Sequence, residues 1–172
     1  MTAGVTLQTK LSIIGGLEGA AAKGSMKLKL DDILESLELT PGTNTTGKAD
    51  LLYTATRTIA ASANEDLDLA GALANAFGAT ITAAEVVLIF IKAASGNTNN
   101  VNVTRPASNG FAGPFLAAGD GVKIAPGEWA VFQSKAGWPV TAGTGDLLNI
   151  ANSGGTTGVT YDVLIVARSV VA

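Results

Sequence analysis

The run EVVLIFIKA, Glu85 to Ala93, limits the folds open to this chain more than any other stretch. Val86, Val87, Leu88, Ile89, Phe90 and Ile91 are apolar without interruption and mostly β-branched, which favours a strand over a helix. Even with its flanking alanines the run falls far short of the roughly 20 apolar residues a membrane-spanning helix needs. A strand with no polar face needs cover on both sides. The segment is therefore expected to be a central strand in a layered β protein.

Alternation by two extends that reading along the chain. SMKLKL sets Met26, Leu28 and Leu30 against Lys27 and Lys29, and LYTATRTI, Leu52 to Ile59, is rich in threonine and β-branched residues. EDLDLAG sets Asp66 and Asp68 against Leu67 and Leu69, and NVNVTRP sets Val101 and Val103 against Asn100, Asn102 and Thr104 until Pro106. Such spacing places successive side chains on opposite faces of a sheet. Val122 to Ile124 and Trp129 to Phe132 flank a Pro126-Gly127 turn. Asp146 to Ala151 makes a further strand, and GVTYDVLIVARSVVA a last one suited to a central place. DILESLEL is ambiguous, since Ile33, Leu34 and Leu37 also fit helical spacing. Thr40-Pro41-Gly42 ends it either way.

Glycine with asparagine or aspartate punctuates the junctions, at Gly96-Asn97, Asn109-Gly110, Gly119-Asp120-Gly121, Gly143-Thr144-Gly145 and Ser153-Gly154-Gly155. Short strands at that spacing predict an all-β fold, a β-sandwich or barrel, over residues 50–172. Residues 1–49 differ, with Ala20 to Gly24 and Gly42 to Gly47 poorly patterned. They are read as an extended N-terminal arm or small hairpin packing outside the sandwich. LSIIGGLEGAAA ends in small residues like a cleaved leader, but Glu18 breaks its apolar region and Gly15-Gly16 weakens a helix, so it is not read as a secretory signal.

The 172 residues are enough for one domain with a real core. Charged residues are only 15% and the net charge is −3, so no basic field gathers phosphate backbones and nucleic acid is not an expected partner. Nor is a membrane. With neither cysteine nor histidine, the chain lacks thiolate and imidazole chemistry, the Ser-His-Asp triad and the usual zinc ligands.

Several motifs come close to a chemistry. GTNTTGKA, Gly42 to Ala49, fits the phosphate-cradling loop except that Ala49 replaces the hydroxyl that holds magnesium, and a strand rather than a helix follows. Glu65, Asp66 and Asp68 offer oxygens, yet calcium wants six or more ligands on a glycine-turned loop, and carboxylates on a strand's solvent face explain them better. Paired acids for glycoside hydrolysis, with Asp146 or Asp162 as members, need a cleft and usually aromatic platforms, whereas aromatics are 5%. Trp129 and Trp138 read as core or interface anchors. Asn44-Thr45-Thr46 and Asn102-Val103-Thr104 match the glycosylation pattern, which carries no weight without a leader. The cluster Asn97, Asn99, Asn100 and Asn102 reads first as a hairpin corner, since asparagine tolerates the left-handed backbone and bonds its own main chain. No catalytic, cofactor-binding or metal-binding residue is assigned, and no enzyme is expected.

TRTIAASANEDLDLAGALANAFGATITAAEV, AASGNTNNVNV and WPVTAGTGDLLNIANSGGTTGVTYDVLIVARS resemble a family of small tailed-bacteriophage virion proteins encoded among head genes. The likeness covers roughly the last 120 residues, SGNTNN and VTAGTGDLL with V-T-Y-D being its most distinctive parts; the first 49 residues resemble the family only loosely. It implies a jelly-roll-like antiparallel β-sandwich over residues 50–172 acting as a capsid decoration, or cement, protein on the outer surface of the virion, present in the host cytoplasm during assembly. Its implied partners are a separate major capsid protein and copies of itself, as trimer or dimer. The alternative is a head-fibre or tail component with a carbohydrate- or receptor-binding role.

Overall fold

A computed structural model of the chain describes residues 4–14, 16–21, 24–29 and 33–172, with the backbone alone for residues 13, 16–21 and 24–29. The described strands are β1 (Leu7–Ile13), β2 (Gly16–Ala21), β3 (Gly24–Lys29), β4 (Ile33–Pro41), β5 (Lys48–Ala49), β6 (Leu51–Ile59), β7 (Asn64–Asp68), β8 (Glu85–Ala93), β9 (Val101–Thr104), β10 (Gly121–Ile124), β11 (Trp129–Pro139), β12 (Leu147–Asn152) and β13 (Val159–Arg168). The chain is all-β with several antiparallel sheets. Two have four strands, ordered β11-β8-β13-β6 and β10-β9-β12-β7; β1-β4-β5 and the pair β2-β3 make two smaller ones. Only β4 and β5 pair in parallel among the described strands.

The two four-stranded sheets share one core. Leu67 from β7, Ile89 and Ile91 from β8, Val101 and Val103 from β9, Leu148 and Ile150 from β12, and Val163 and Ile165 from β13 are all buried in it. Each such side chain contributes about 1.5–3 kcal/mol by leaving water, which fixes register, because a slip by one residue would turn Asn102 inward and Val103 out. β8 and β13 are both central. From β6 to β13 each connection crosses between the two sheets, except that β9 and β10 pair with each other.

β8 is covered on both sides. Its outer Val87 and Leu88, with Val166 of β13, pack in a second cluster against Val5, Leu37, Leu39 and Ala49 of the N-terminal sheet. The β8–β13 register slips beside Val87, and the bulge allows both Val87 and Leu88 to join this outer cluster.

The N-terminal segment holds more strand than the sequence reading found. LQTKLSI was not anticipated as a strand, and GLEGAA, weighed only as part of a leader, is β2. Ile33 to Leu39 resolves as strand rather than helix because β1 supplies an antiparallel partner along its whole length, Leu7 opposite Leu39 through Ile13 opposite Ile33. The facing of Met26 and Leu28 against Lys27 and Lys29, and the place of Gly15, Glu18 and Leu30 in that reading, lie outside the described residues.

Candidate functional site

At one end of the paired sheets lie the connections 60–63, 94–100, 125–128 and 153–158, and the asparagine cluster is there. It is a crossing from one sheet to the other, not the expected hairpin, because β8 and β9 belong to different sheets. Asn97 acts as a substitute strand residue. Its Nδ2 donates to the Thr160 carbonyl and its Oδ1 accepts from the Thr160 N–H, each at 2.8 Å. Asn99 Nδ2 donates to the Thr157 carbonyl at 3.1 Å and to its Oγ1 at 3.0 Å. The Asn100 N–H donates to Ser153 Oγ at 2.9 Å, while its carbonyl accepts from the Ser153 N–H at 3.1 Å. Asn102 sits within β9 opposite Lys123 and Ala151. Asn152, which the sequence reading passed over, is buried and donates to the Ala60 and Thr157 carbonyls at 3.0 and 2.7 Å. A Cβ at Gly154 would come within 2.2 Å of the Asn99 amide. The amides of Asn97, Asn99 and Asn152 are thus engaged in holding their own loops.

Nearby, the acidic trio divides. Glu65 shares the inward face of β7 with Leu67 and so departs from the solvent-face expectation. Its Oε2 accepts from Arg57 Nε at 2.8 Å and from Arg57 Nη2, and its Oε1 accepts from the Tyr161 hydroxyl at 2.9 Å. Arg57 Nη1 donates to the Tyr53 hydroxyl at 3.1 Å. Burial pushes the Tyr161 phenol well above its ordinary value, and the Glu65 charge adds to that. The bond to Glu65 in turn raises the Arg57 guanidinium. Since β6 and β7 are edge strands of their sheets, this group closes the side of the core. Asp66 accepts from Asn149 Nδ2 at 2.7 Å and Asp68 from the Ala70 N–H at 2.9 Å. Among the described residues no group of three or more acidic, histidine or cysteine side chains converges as a metal site would.

The opposite end carries the longer connections 69–84, 105–120 and 140–146, and the loop 42–50 joins it. Asp146 is buried here, its Oδ2 accepting from the Gly143 N–H at 2.7 Å, so Gly143 to Gly145 and the asparagine cluster lie at opposite ends. Asp162 is on the outer sheet face, bonded to Thr56 Oγ1 at 2.6 Å, and the two acids do not meet.

Arg168 organises this end. It is fully buried and pairs with buried Glu85 at 2.6 Å. Its Nη1 donates to the carbonyls of Thr45, Lys48 and Lys135 at 3.2–3.4 Å, and its Nη2 to that of Ala136. GTNTTGKA thus turns backbone carbonyls toward a guanidinium, the reverse of the amide cradle a phosphate needs. Gly137 has φ of +90°, and a Cβ there would fall 2.4 Å from Arg168 Nη2. The sequence reading missed this pair. Its only signal was a lone charge at the border of each apolar strand, before VVLIFI and after VLIVA.

Two loops at this end present apolar side chains to solvent. Leu69, Leu73, Ile81 and Ala83 root the 69–84 loop in the core. At its tip Asn75 Oδ1 accepts from the Phe77 and Ala79 N–H groups at 2.9 and 3.0 Å, leaving Phe77 90% exposed. Phe111 and Phe115 root the 105–120 loop. Asp120 Oδ2 accepts from the Leu116 and Ala117 N–H groups at 3.2 and 2.7 Å, and Leu116 is 94% exposed. A cavity of about 280 Å³ lined by Val5, Thr6, Asp50, Leu52, Ala76 and Phe77 joins the first loop to the base of the arm. An apolar residue at the tip of a Gly- and Ala-rich loop was the available sequence signal.

Trp138 packs partly buried against the core, whereas Trp129 is half-exposed on the outer face beside Phe90, ring centroids 6.0 Å apart. Asn44 occupies a loop position with φ of 44°, and Asn102 is half-buried within its strand. Comparison of the chain with family models, with curated proteins and with solved structures returned no match, so these surfaces themselves carry the functional argument.

Proposed function

We propose that the chain is a structural protein of a tailed-bacteriophage virion, a decoration or cement protein that binds the outer surface of a shell built by a separate major capsid protein. In this reading residues 50–172 are a jelly-roll-like sandwich and residues 1–49 its arm. The strand order supports the architecture: an eight-stranded double Greek key would place β6-β13-β8-β11 in one sheet and β7-β12-β9-β10 in the other. The sequence likeness supports the setting.

One observation carries the function. Phe77 and Leu116, nearly fully exposed, are held on stapled loops at the same end. Fixed side chains lose little conformational freedom on docking, so their burial translates efficiently into affinity. Copies bound to themselves and to the shell turn many weak contacts into a strong one through effective concentration. The rival fibre or tail reading, with a carbohydrate or receptor as ligand, draws on half-exposed Trp129, since an exposed aromatic is a sugar-stacking platform.

Copy number in purified particles separates the two. Hundreds of copies per virion fit a shell component; a handful would overturn it in favour of the fibre or tail. With shells assembled in its absence, the added chain is expected to co-sediment. A Phe77→Ser, Leu116→Ser double variant, still folded, should bind about tenfold or more weakly. Unchanged binding would remove this end from the interface.

A further inference from the structure

The arm crosses the outer face of the β11-β8-β13-β6 sheet from one edge to the other. Val5 lies beside Leu52 of edge strand β6, and Thr9 Oγ1 donates to Gln133 Oε1 of edge strand β11 at 3.0 Å. Four residues of extended chain span about 13 Å, and three inter-strand gaps about 14 Å, so the path runs straight across. It follows one row of the sheet, Leu52, Val166, Leu88 and Gln133. Leu7, Leu37 and Leu39 cover that row. The arm then leaves the sheet. Leu11 and Ile33 continue the stripe that buries Leu37 and Leu39, yet they are 49% and 47% exposed, with Glu35 between them.

The next row of the same sheet face, toward the asparagine end, is also apolar: Val131 is 42% exposed, Phe90 and Leu164 are half-buried at the margin of the arm–sheet cluster, and half-exposed Trp129 lies beyond with Lys92. This row continues the arm–sheet interface directly. The chain's own arm base is committed to the Leu88 row, and at Thr9 the arm has already reached edge strand β11.

We infer that the distal arm of one copy, through Leu11 and Ile33, seats on the Val131–Phe90–Leu164 row and Trp129 of a second copy. The contact repeats the chemistry of the first: leucine and isoleucine from a two-stranded ladder on a valine and leucine sheet row. Lys92 stands directly opposite Asp162 on this face, so the surface is charge-balanced and the apolar row carries the contact. Such a contact is heterologous, arm to sheet, and closes into a ring when the rotation closes. It also runs over the β11 edge, which would otherwise offer unpaired backbone groups. The inference deepens the self-association within the proposed role, but its test needs no shell and so can fail separately.

The chain has no cysteine, so introduced thiols report contacts without background. Leu11→Cys and Val131→Cys are made as separate full-length variants, mixed, and oxidised. A disulfide-linked dimer in the mixture, absent or much weaker in either variant alone, is the expected result. In parallel, Val131→Glu should weaken self-association by about tenfold or more in sedimentation velocity. Circular dichroism on each variant verifies the fold. A mixture that yields no hetero-disulfide overturns the inference. So does a Leu11→Cys, Val131→Cys double variant that closes only within one chain, or an unmodified chain that sediments as a monomer at every concentration reached.

Discussion

The two ends of the paired sheets face the same physical problem and meet it with different chemistry. Strands that stop leave carbonyls and N–H groups requiring partners. The asparagine end satisfies them with neutral amides on short loops, Asn97 serving Thr160 and Asn152 serving Ala60 and Thr157. The long-loop end uses one buried guanidinium that collects carbonyls from two chain segments and pairs with Glu85. The first solution consumes its polar groups and presents little to a partner. The second ties the loop 42–50 to β8, β11 and β13, leaving Phe77 and Leu116 free to project. In the proposed role, with docking at the long-loop end, the frame gains from concentrating its cross-linking below the docking surface.

The largest effect should come from breaking the charged end. Arg168→Met leaves the Glu85 carboxylate buried without its counter-charge and several carbonyls without a donor. Loss of one partner of a buried pair costs about 3–5 kcal/mol, measured as a drop in the urea midpoint. Limited proteolysis should then cut between residues 42 and 50, and should spare that loop in the native chain. The Glu85→Gln, Arg168→Met double variant should regain part of that loss, because no unpaired charge remains. If the single variant unfolds at the wild-type midpoint, the guanidinium does not organise this end.

The contrast also separates what the sequence could disclose from what it could not. Val101 and Val103 against Asn102, or the unbroken run in β8, are local patterns, and a period of two is visible wherever one face is buried and the other is not. Glycine and asparagine at the crossings were equally visible, but whether GNTNN turns back within a sheet or passes to its partner depends on which strands pair, and pairing is decided by burial between residues far apart in sequence. Ile33 to Leu39 satisfied helix and strand spacing alike until β1 supplied its ladder. The Arg168–Glu85 pair joins residues 83 positions apart, and a single charge at a strand's border gives no hint of its distant partner. The amide end was therefore partly legible, Asn97, Asn99 and Asn100 announcing a corner, while the long-loop end was hidden: Phe77 and Leu116 look like core residues until the loops place them outside.

At the amide end the effects should be smaller. Asn97→Ala deprives Thr160 of both a donor and an acceptor at a half-buried site, a loss of about 1–3 kcal/mol, again read from the urea midpoint. Hydrogen exchange should rise at the Thr160 amide and its neighbours while the Arg168 end stays protected. An exchange increase spread evenly over the molecule would mean that the two ends are not independently held.

Tyr161 gives the finest discrimination, because the asparagine end has no titrating amide yet sits beside a titrating phenol. Burial and the Glu65 carboxylate hold the Tyr161 proton more tightly in the folded chain than in the unfolded one. Below about pH 10, the ordinary phenol value, both states keep that proton and the group contributes no pH dependence. Above it the unfolded chain releases the proton and the folded chain does not, so the unfolded state binds fewer protons and stability falls as pH rises. Tyr161→Phe should cost about 1 kcal/mol near neutrality through the lost bond to Glu65. It should also remove up to about 1.4 kcal/mol per pH unit from the alkaline decline. Asn97→Ala, lowering stability through an uncharged contact, should leave that decline as steep as in the native chain. Parallel alkaline profiles for Tyr161→Phe and the native protein would place the source of the decline elsewhere.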